Sequence, residues 1–499
     1  MRVLLLSMPD SSEHMPALAI RMPNGALASL AGNVDRHHEV AIADLILVHG
    51  AVRPTVERLL REGQPDVVGL SVMTFQRRTA QQIVRLIRAA MPAARIVVGG
   101  YDPSLAPEAY SGDDAVDFIV HGEGELTFRA LLRALDGQGR VGDIAGLSWR
   151  DGQVMRANPA RPVSGLDGNA IGPPNRAARV LRGYTLLGRQ ADVVETSRGC
   201  TFDCSFCSII EMRGRNFHRF TFDRVLADIA DARARGARSI FMVDDNITLD
   251  VARFAALCDA IVAAGLQDID YTVQAMTAPL AQHGRTLVPL MQRAGFRYVF
   301  LGIENILEDD LLFLRARAKN ALRDGGRTIG NAAITAIELL RAHGLLVVGG
   351  LIVGNPDDTP AAVEANLAFA ARYVDWPYIQ HPTPYPRTPM TLDFRRQGLI
   401  VSERPEAYDG TTAVVRSRHM SAEDVEFRRW RAERWMKVRH LPAVFRHDPA
   451  FVARHGMRML RHTFRGSRLR TWLGLEDERQ AFERYRAIRE AEREYLAVG

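Results

Sequence analysis

Lysine is nearly absent from this chain: of 64 basic side chains only Lys319 and Lys437 are not arginine. Cysteine is scarce too, four in 499 residues, which excludes a disulfide-stapled secreted scaffold. No apolar run reaches the ~18 residues that a membrane span needs. The longest, 345–353, is interrupted by Gly349 and Gly350. The run 3–6 is shorter than a secretory core and Pro9-Asp10 ends it, so the expectation is a cytoplasmic protein. The net charge of +6 is carried by arginine, densest after Glu426 in Arg428-Arg429-Trp430-Arg431 and again over 465–470. Such a stretch suits nucleic acid, an acidic substrate or anionic lipid, or else a set of solvated helices. Glu426, Glu433 and Glu476-Asp477-Glu478 are interleaved with it, which favours the helices, and no nucleic-acid partner is expected.

What is present is an ordinary globular composition, 47% hydrophobic and 24% charged, over a length that calls for two or three domains. Short β-rich runs at 3–6, 40–43, 67–72, 96–98 and 118–120 alternate with helical patterns, which predicts a doubly wound parallel sheet. A strand pair at 147–150 and 154–157 turns at Asp151-Gly152. A proline-bearing stretch with little periodicity follows. From about Asp192 the alternation resumes, with strands predicted at 193–196, 239–243, 270–273, 298–303, 346–352 and near 378–380. Six such units suggest a partial (β/α)6 barrel, with its site at the carboxyl ends of the strands. The predicted organisation is α/β: a doubly wound domain over 1–140, a connector with the strand pair over 141–190, the partial barrel over 191–400 and a helical region over 401–499.

The first barrel strand runs into Ser197-Arg198-Gly199-Cys200-Thr201-Phe202-Asp203-Cys204-Ser205-Phe206-Cys207. One tight loop can aim three such thiolates at one point. A [4Fe–4S] cluster usually takes four cysteines, so three leave one iron open for substrate chemistry. A zinc site or a four-cysteine cluster would want a fourth ligand. Cys258, within an amphipathic helical pattern, reads instead as a small packed hydrophobe.

This segment resembles the radical S-adenosylmethionine superfamily, whose signature is C-x3-C-x2-C with an aromatic, here Phe206, before the last cysteine. The resemblance implies that Cys200, Cys204 and Cys207 hold the cluster. It also implies that S-adenosylmethionine chelates the open iron and is cleaved reductively to a 5′-deoxyadenosyl radical. Asp244 after the second strand, Gln274 on the third, Glu304 in Gly302-Ile303-Glu304-Asn305, and Gly350 and Gly354 on the fifth match the family's cofactor-binding segments. Met276 stands where many relatives carry arginine, so no role is carried over there.

The N-terminal part resembles the cobalamin-binding group within that superfamily. The likeness rests on Gly99-Gly100-Tyr101-Asp102-Pro103-Ser104 with Pro107-Glu108, and on Gly122-Glu123-Gly124-Glu125; Ser71 at a strand end belongs with them. It implies a corrin lying against glycines at the strand ends. The axial-histidine motif of many cobalamin carriers is missing, and His14, His49 and His121 read as structural or surface residues. Near the sixth strand, His381, Tyr385 and Arg387 stand in a proline-rich stretch and are the candidate substrate-facing residues. Rigid packing is the alternative there. Trp430, Trp435, Phe464 and Trp472 could cover an apolar substrate or pack helices together.

The family implies methylation of an unactivated carbon of a small molecule (a natural product, pigment or lipid), with a reductant such as flavodoxin or ferredoxin. Radical cyclisation of the magnesium-protoporphyrin ester cyclase type fits the same motifs. A tRNA methylthiotransferase would carry further N-terminal cysteines and an RNA-binding barrel, neither of which is seen. A non-catalytic iron–sulfur sensor would not need the glycine and acidic segments at successive strand ends.

Overall fold

The computed structural model describes residues 1–11, 20–163, 165–166, 170–324, 327–468, 471 and 475–496. His14 and Trp472 lie outside the described residues. The first domain is built on β1 (Arg2–Ser7), β2 (Glu39–Asp44), β3 (Val67–Ser71), β4 (Arg95–Gly99) and β5 (Phe118–Val120), paired in parallel in the order 2-1-3-4-5. β1 is apolar from Val3 to Leu6 because both of its faces are covered. Leu4 and Leu6 join the core on one side of the sheet, and Val3 and Leu5 the core on the other.

The hairpin β6 (Leu147–Asp151) and β7 (Val154–Ala157) pairs antiparallel onto β5. The strand pair assigned to the 141–190 connector therefore belongs to the first sheet, since β5 leaves an edge that a following antiparallel strand satisfies.

The second domain curls six parallel strands: β8 (Arg189–Val194), β9 (Ser239–Met242), β10 (Asp270–Met276), β11 (Phe296–Glu304), β12 (Leu346–Ile352) and β13 (Trp376–Gln380), in sequence order across the sheet. The sequence had not indicated two further short strands on its β8 edge. Thr185–Leu186 pairs with β8, and Ile20–Arg21, from the first 25 residues, pairs with Thr185–Leu186. The N-terminal chain thus crosses to the barrel and back.

Regular helix in the C-terminal region begins at Ala422, where the Ser421 hydroxyl accepts from Asp424 N at 3.1 Å. Ahead of it, Leu399, Tyr408, Val414 and Val415 pack as irregular chain in a satellite core with Phe394. Helices Ala422–His447 and Pro449–Thr463 form an antiparallel hairpin, as the Trp435–Phe464 ring contact of 5.8 Å shows. Near the chain end Leu496 enters the first domain's core and its carbonyl accepts from Arg53 Nε at 3.2 Å.

Candidate active site

The cysteine loop leaves β8 and is held by two consecutive aspartates after β9. Asp244 is buried, and its carboxylate accepts from Thr196 N (2.7 Å), Thr196 Oγ1 (2.5 Å) and Ser197 Oγ (2.5 Å). Burial pushes its pKa up, to about 6, against those hydrogen bonds. Its oxygens are thus committed to the loop, so Asp244, expected at the cofactor, instead positions the cysteines. Asp245 accepts from Gly199 N at 2.7 Å and from Arg213 Nη1 at 3.0 Å. Gly199 has φ +90°, and a Cβ there would stand 2.4 Å from the Asn216 carbonyl, so only glycine lets the loop turn into Cys200.

Farther along, Ser205 N donates to Leu314 O at 3.0 Å and Met390 N donates to Ser205 O at 2.9 Å, which ties the loop's far side to the barrel. Asn246 Nδ2 lies 3.6 Å from Cys200 Sγ and 3.2 Å from Met276 Sδ, so the residue in the family's arginine position meets the loop through a shared amide. Cys258 is fully buried in helix Val251–Ala263.

Among the described residues, the only three side chains whose ligand atoms lie within 4.8 Å of one another are His37, His38 and Asp136. Cys200, Cys204 and Cys207 are not such a trio, so at least one pair of their sulfurs stands more than 4.8 Å apart. Three thiols on one short loop suit an iron–sulfur cluster that leaves one iron open.

Beside the loop, Lys319 is ion-paired with Glu304 and lies 5.4 Å from the Phe206 ring centroid. Glu304 sits at φ +61°, and a Cβ on Gly302 would come within 2.8 Å of Glu304 Oε1, so the glycine makes room for the pair. Phe206 packs on the satellite core. At Gly350 and Gly354 the space that a side chain would need is already filled. A Cβ at Gly350 would meet the Phe300 ring at 3.0 Å, and one at Gly354 would meet Val425 at 2.9 Å.

A cavity of about 570 Å³ opens where the strand ends of the first domain face those of the barrel. It lies at the β1/β3 switch point, where the order of the first sheet reverses and open parallel sheets take their ligands. Ser71, Gly99, Gly100, Tyr101, Gly122, Glu123, Gly124 and Glu125, all chosen from sequence, line it. Facing them is a cluster the sequence did not reveal. Arg198 reaches Glu125 at 2.6 Å, Glu195 at 2.8 Å and Glu123 at 3.7 Å. Burial would raise the Glu125 pKa, but the Arg198 charge and hydrogen bond outweigh it and hold it at about 2. Burial pushes Glu195 up to about 7 despite Arg198. Glu123 Oε1 lines the cavity and, although Arg198 stands 3.7 Å away, is buried without a hydrogen bond, an acceptor suited to the amide N–H groups that fringe a corrin. That acceptor and the switch-point position fit cobalamin.

No histidine lines this cavity among the described residues. His49 packs edge-on to Tyr495 and His121 lies 2.8 Å from Ser148 Oγ.

A second cavity, about 390 Å³, fills the barrel interior. Gln274, Phe300, Trp376 and Tyr378 line it from the strands, and Val444 and Phe451 of the C-terminal hairpin close it. Its walls carry no lysine or arginine among the described residues, while Thr272 Oγ1 and His447 Nε2 are buried without partners. Both cavities are lined by Ser11, Ile20, Met22 and Ile46, so they adjoin at the strand that crosses from the first domain.

In the proline-rich stretch, read either as substrate-facing or as rigid packing, His381 and Tyr385 bond to neighbouring elements. His381 Nδ1 donates to Val353 O at 3.1 Å and its Nε2 accepts from Arg429 Nε at 3.1 Å. Tyr385 donates to Tyr408 O at 3.2 Å. Arg387 is exposed at φ +67°, a left-handed backbone position that favours glycine. None of the three lines either cavity, because the turn after β13 folds back onto the C-terminal helices.

Residues 17–132 match the family model of the B12 binding domain, and residues 194–370 match that of the Radical SAM superfamily. An uncharacterized methyltransferase of Pyrococcus horikoshii is 27% identical, over 85% of this chain and 90% of that protein. The anaerobic magnesium-protoporphyrin IX monomethyl ester cyclase of Synechocystis is 28% identical, over 69% of this chain and 67% of that one. In fold the chain is similar to the radical S-adenosylmethionine methyltransferase TsrM of Kitasatospora setae with cobalamin and a [4Fe–4S] cluster bound. That likeness has a TM-score of 0.65 at 20% identity, over 85% of this chain and 84% of that one.

Proposed function

Because the chain belongs to the radical S-adenosylmethionine superfamily and carries its B12-binding domain, we propose that it methylates an unactivated carbon in the apolar part of a small molecule. One observation carries this reading: the switch-point cavity and the apolar barrel cavity adjoin at Ile20 and Met22. A methyl donor in the first would stand beside a substrate in the second.

When bound, the [4Fe–4S] cluster, S-adenosylmethionine and cobalamin supply reductive sulfonium cleavage, hydrogen abstraction and a transferable methyl group. The chain's own residues do the positioning. Cys200, Cys204 and Cys207 hold the cluster, with Asp244, Asp245 and Ser205 setting their loop. Glu304 and Lys319 form a charged wall beside it. Ser71, Tyr101, Glu123 and the strand-end glycines hold the corrin, and Arg198 fixes the carboxylates behind them. Phe300, Trp376 and Tyr378 exclude water from the barrel, where a substrate radical would otherwise be quenched, and Gln274 orients the substrate by hydrogen bonding. Flavodoxin or ferredoxin supplies the electron.

The test is anaerobic cluster reconstitution, then incubation with S-adenosylmethionine, hydroxocobalamin and a strong reductant. Bound corrin with both 5′-deoxyadenosine and S-adenosylhomocysteine supports methyl transfer. Deoxyadenosine without the homocysteine product points to cyclisation, the reaction named for the Synechocystis relative. Neither product from a cluster-loaded protein refutes the reading.

A further inference from the structure

The C-terminal helical hairpin has two faces that the proposed chemistry leaves half explained. Its inner face, through Val444, His447, Phe451 and Met459, forms the floor of the barrel cavity. Its outer face is unlike the rest of the surface. From Arg434 to Leu475 the sequence has ten basic residues and one acidic one, Asp448. Asp448 is buried and caps helix Pro449–Thr463, accepting from Phe451 N at 3.0 Å. The charge of this stretch is therefore positive and uncompensated from within.

Helical spacing sorts these charges. On helix Ala422–His447, Arg439 and Arg446 point outward on the face that also carries Trp435, Val438 and Phe445. On helix Pro449–Thr463, Arg454, Arg458 and Arg461 share the outward face with Ala450, Ala453 and Met457. Phe445 is 50% exposed and Met457 65%, so with Trp435 and Val438 four large apolar groups share these outward faces with five arginines. Among the described residues none of the five arginines forms an ion pair. In the first half of the same hairpin the pattern is opposite: Arg428 pairs with Glu364, Arg429 with Glu433, and Arg431 and Arg434 with Glu478. Ion pairing thus stops where the outward apolar groups begin.

We infer that this hairpin is a docking element that lays the enzyme on an anionic lipid bilayer. Clusters of four to eight basic residues on an amphipathic helix are attracted to acidic headgroups. Exposed Phe and Met between the arginines enter the acyl boundary, while the long arginine stems keep their guanidinium groups at the headgroups. No helix among the described residues is long and apolar enough to cross the membrane, so the contact is one of surface seating. A nucleic-acid phosphate track would satisfy the arginines but would leave Val438 and Met457 exposed at its surface. Seated in this way, the hairpin holds the floor of the barrel cavity at the lipid surface.

The test is cosedimentation of the full-length, cluster-reconstituted protein with vesicles of phosphatidylcholine, with and without phosphatidylglycerol. Binding to the anionic vesicles, weakened by salt, and weak binding to the neutral ones are expected. At about fivefold in affinity per arginine, the triple variant Arg454→Gln/Arg458→Gln/Arg461→Gln should lose roughly a hundredfold. Phe445→Ser/Met457→Ser should lose at least severalfold more than salt alone explains. Equal partition onto both vesicle types, no sedimentation at low salt, or binding to a mixed-sequence RNA in place of vesicles overturns the inference. The wild-type comparison decides the matter even if a variant fails to fold, and deoxyadenosine formation by the variants reports their folding. Vesicle binding needs no turnover, so failure of methyl transfer would leave this result standing.

Discussion

Replacing Glu125 by Gln should weaken the contact between the two domains in a way that titrates. Glu125 begins the helix after β5, yet its partner Arg198 comes from the barrel's first strand end, so this ion pair joins elements 73 residues apart in sequence. The carboxylate is 5% exposed and also accepts from Ser29 Oγ at 2.7 Å. Its pKa stands at about 2 in the folded chain against an ordinary value of 4.5. A depressed carboxylate contributes stability that is fully present above its unfolded value and is lost as pH falls through its folded value. Gln keeps the shape and removes the charge, while Arg198 retains Glu195 and Glu123. The variant should lose about 3 kcal/mol at pH 7 and only about 1.5 kcal/mol at pH 3, on the order of 1.4 kcal/mol per pKa unit. Urea unfolding of both proteins at the two pH values measures this on the transition that melts the first sheet. Glu195 is present in both, and the Glu125 charge is only a lesser cause of its raised pKa, behind burial and the Arg198 and Arg213 charges, so most of the difference belongs to Glu125. A gap that stays constant with pH, or no gap at pH 7, would refute the argument.

Four further outcomes are expected. Asp310 and Asp358 are buried against each other beside Asn355, and burial pushes both carboxyls up, Asp310 to about 8. A raised carboxyl contributes stability below its ordinary value that is lost as pH rises through the folded one. Wild-type Tm should therefore fall from acid towards pH 8, and Asp310→Asn should flatten that fall in a calorimetric series. Gly199→Ala should lower iron per chain after reconstitution severalfold, because its Cβ would meet the Asn216 carbonyl at 2.4 Å. Cys258→Ala, in a packed helix, should keep its iron and lose only about 1 kcal/mol of stability. Trp376→Ala enlarges the barrel cavity, so the methylated product should decline while deoxyadenosine continues to form, which product-to-deoxyadenosine ratios will show.

Much of the fold was legible because it depends on local patterns. The strand predicted at 346–352 is the strand observed as Leu346–Ile352, since a short apolar run punctuated at both ends by Gly344 and Gly354 has few other uses. The Ala422–His447 helix starts at a serine cap, and the cysteine loop follows directly on a strand. The short strands Ile20–Arg21 and Thr185–Leu186 carry no period, and they exist because each completes an edge supplied by a distant segment. The site divides along the same line. The glycines and glutamates after β4 and β5 line the cavity because strand ends must face it. A polar residue after a strand end can equally turn back onto its neighbour, as Asp244 does onto Thr196 and Ser197. His381, in a motif that looked substrate-facing, is taken up by Arg429, which lies 48 residues later.

By itself, then, the sequence determined the order of the two α/β units, the three thiols on one loop and the apolar or polar character of each strand. These rest on backbone periodicity and on residue spacing within a few turns of chain. Tertiary structure alone decided that Arg198 would gather three carboxylates, that Ile20 and Met22 would join two cavities, and that the C-terminal hairpin would floor the barrel. Each of these brings together groups far apart in the chain. Their pairing follows from burial and charge satisfaction in the finished fold, where an unpaired charge or an open edge is too costly to keep.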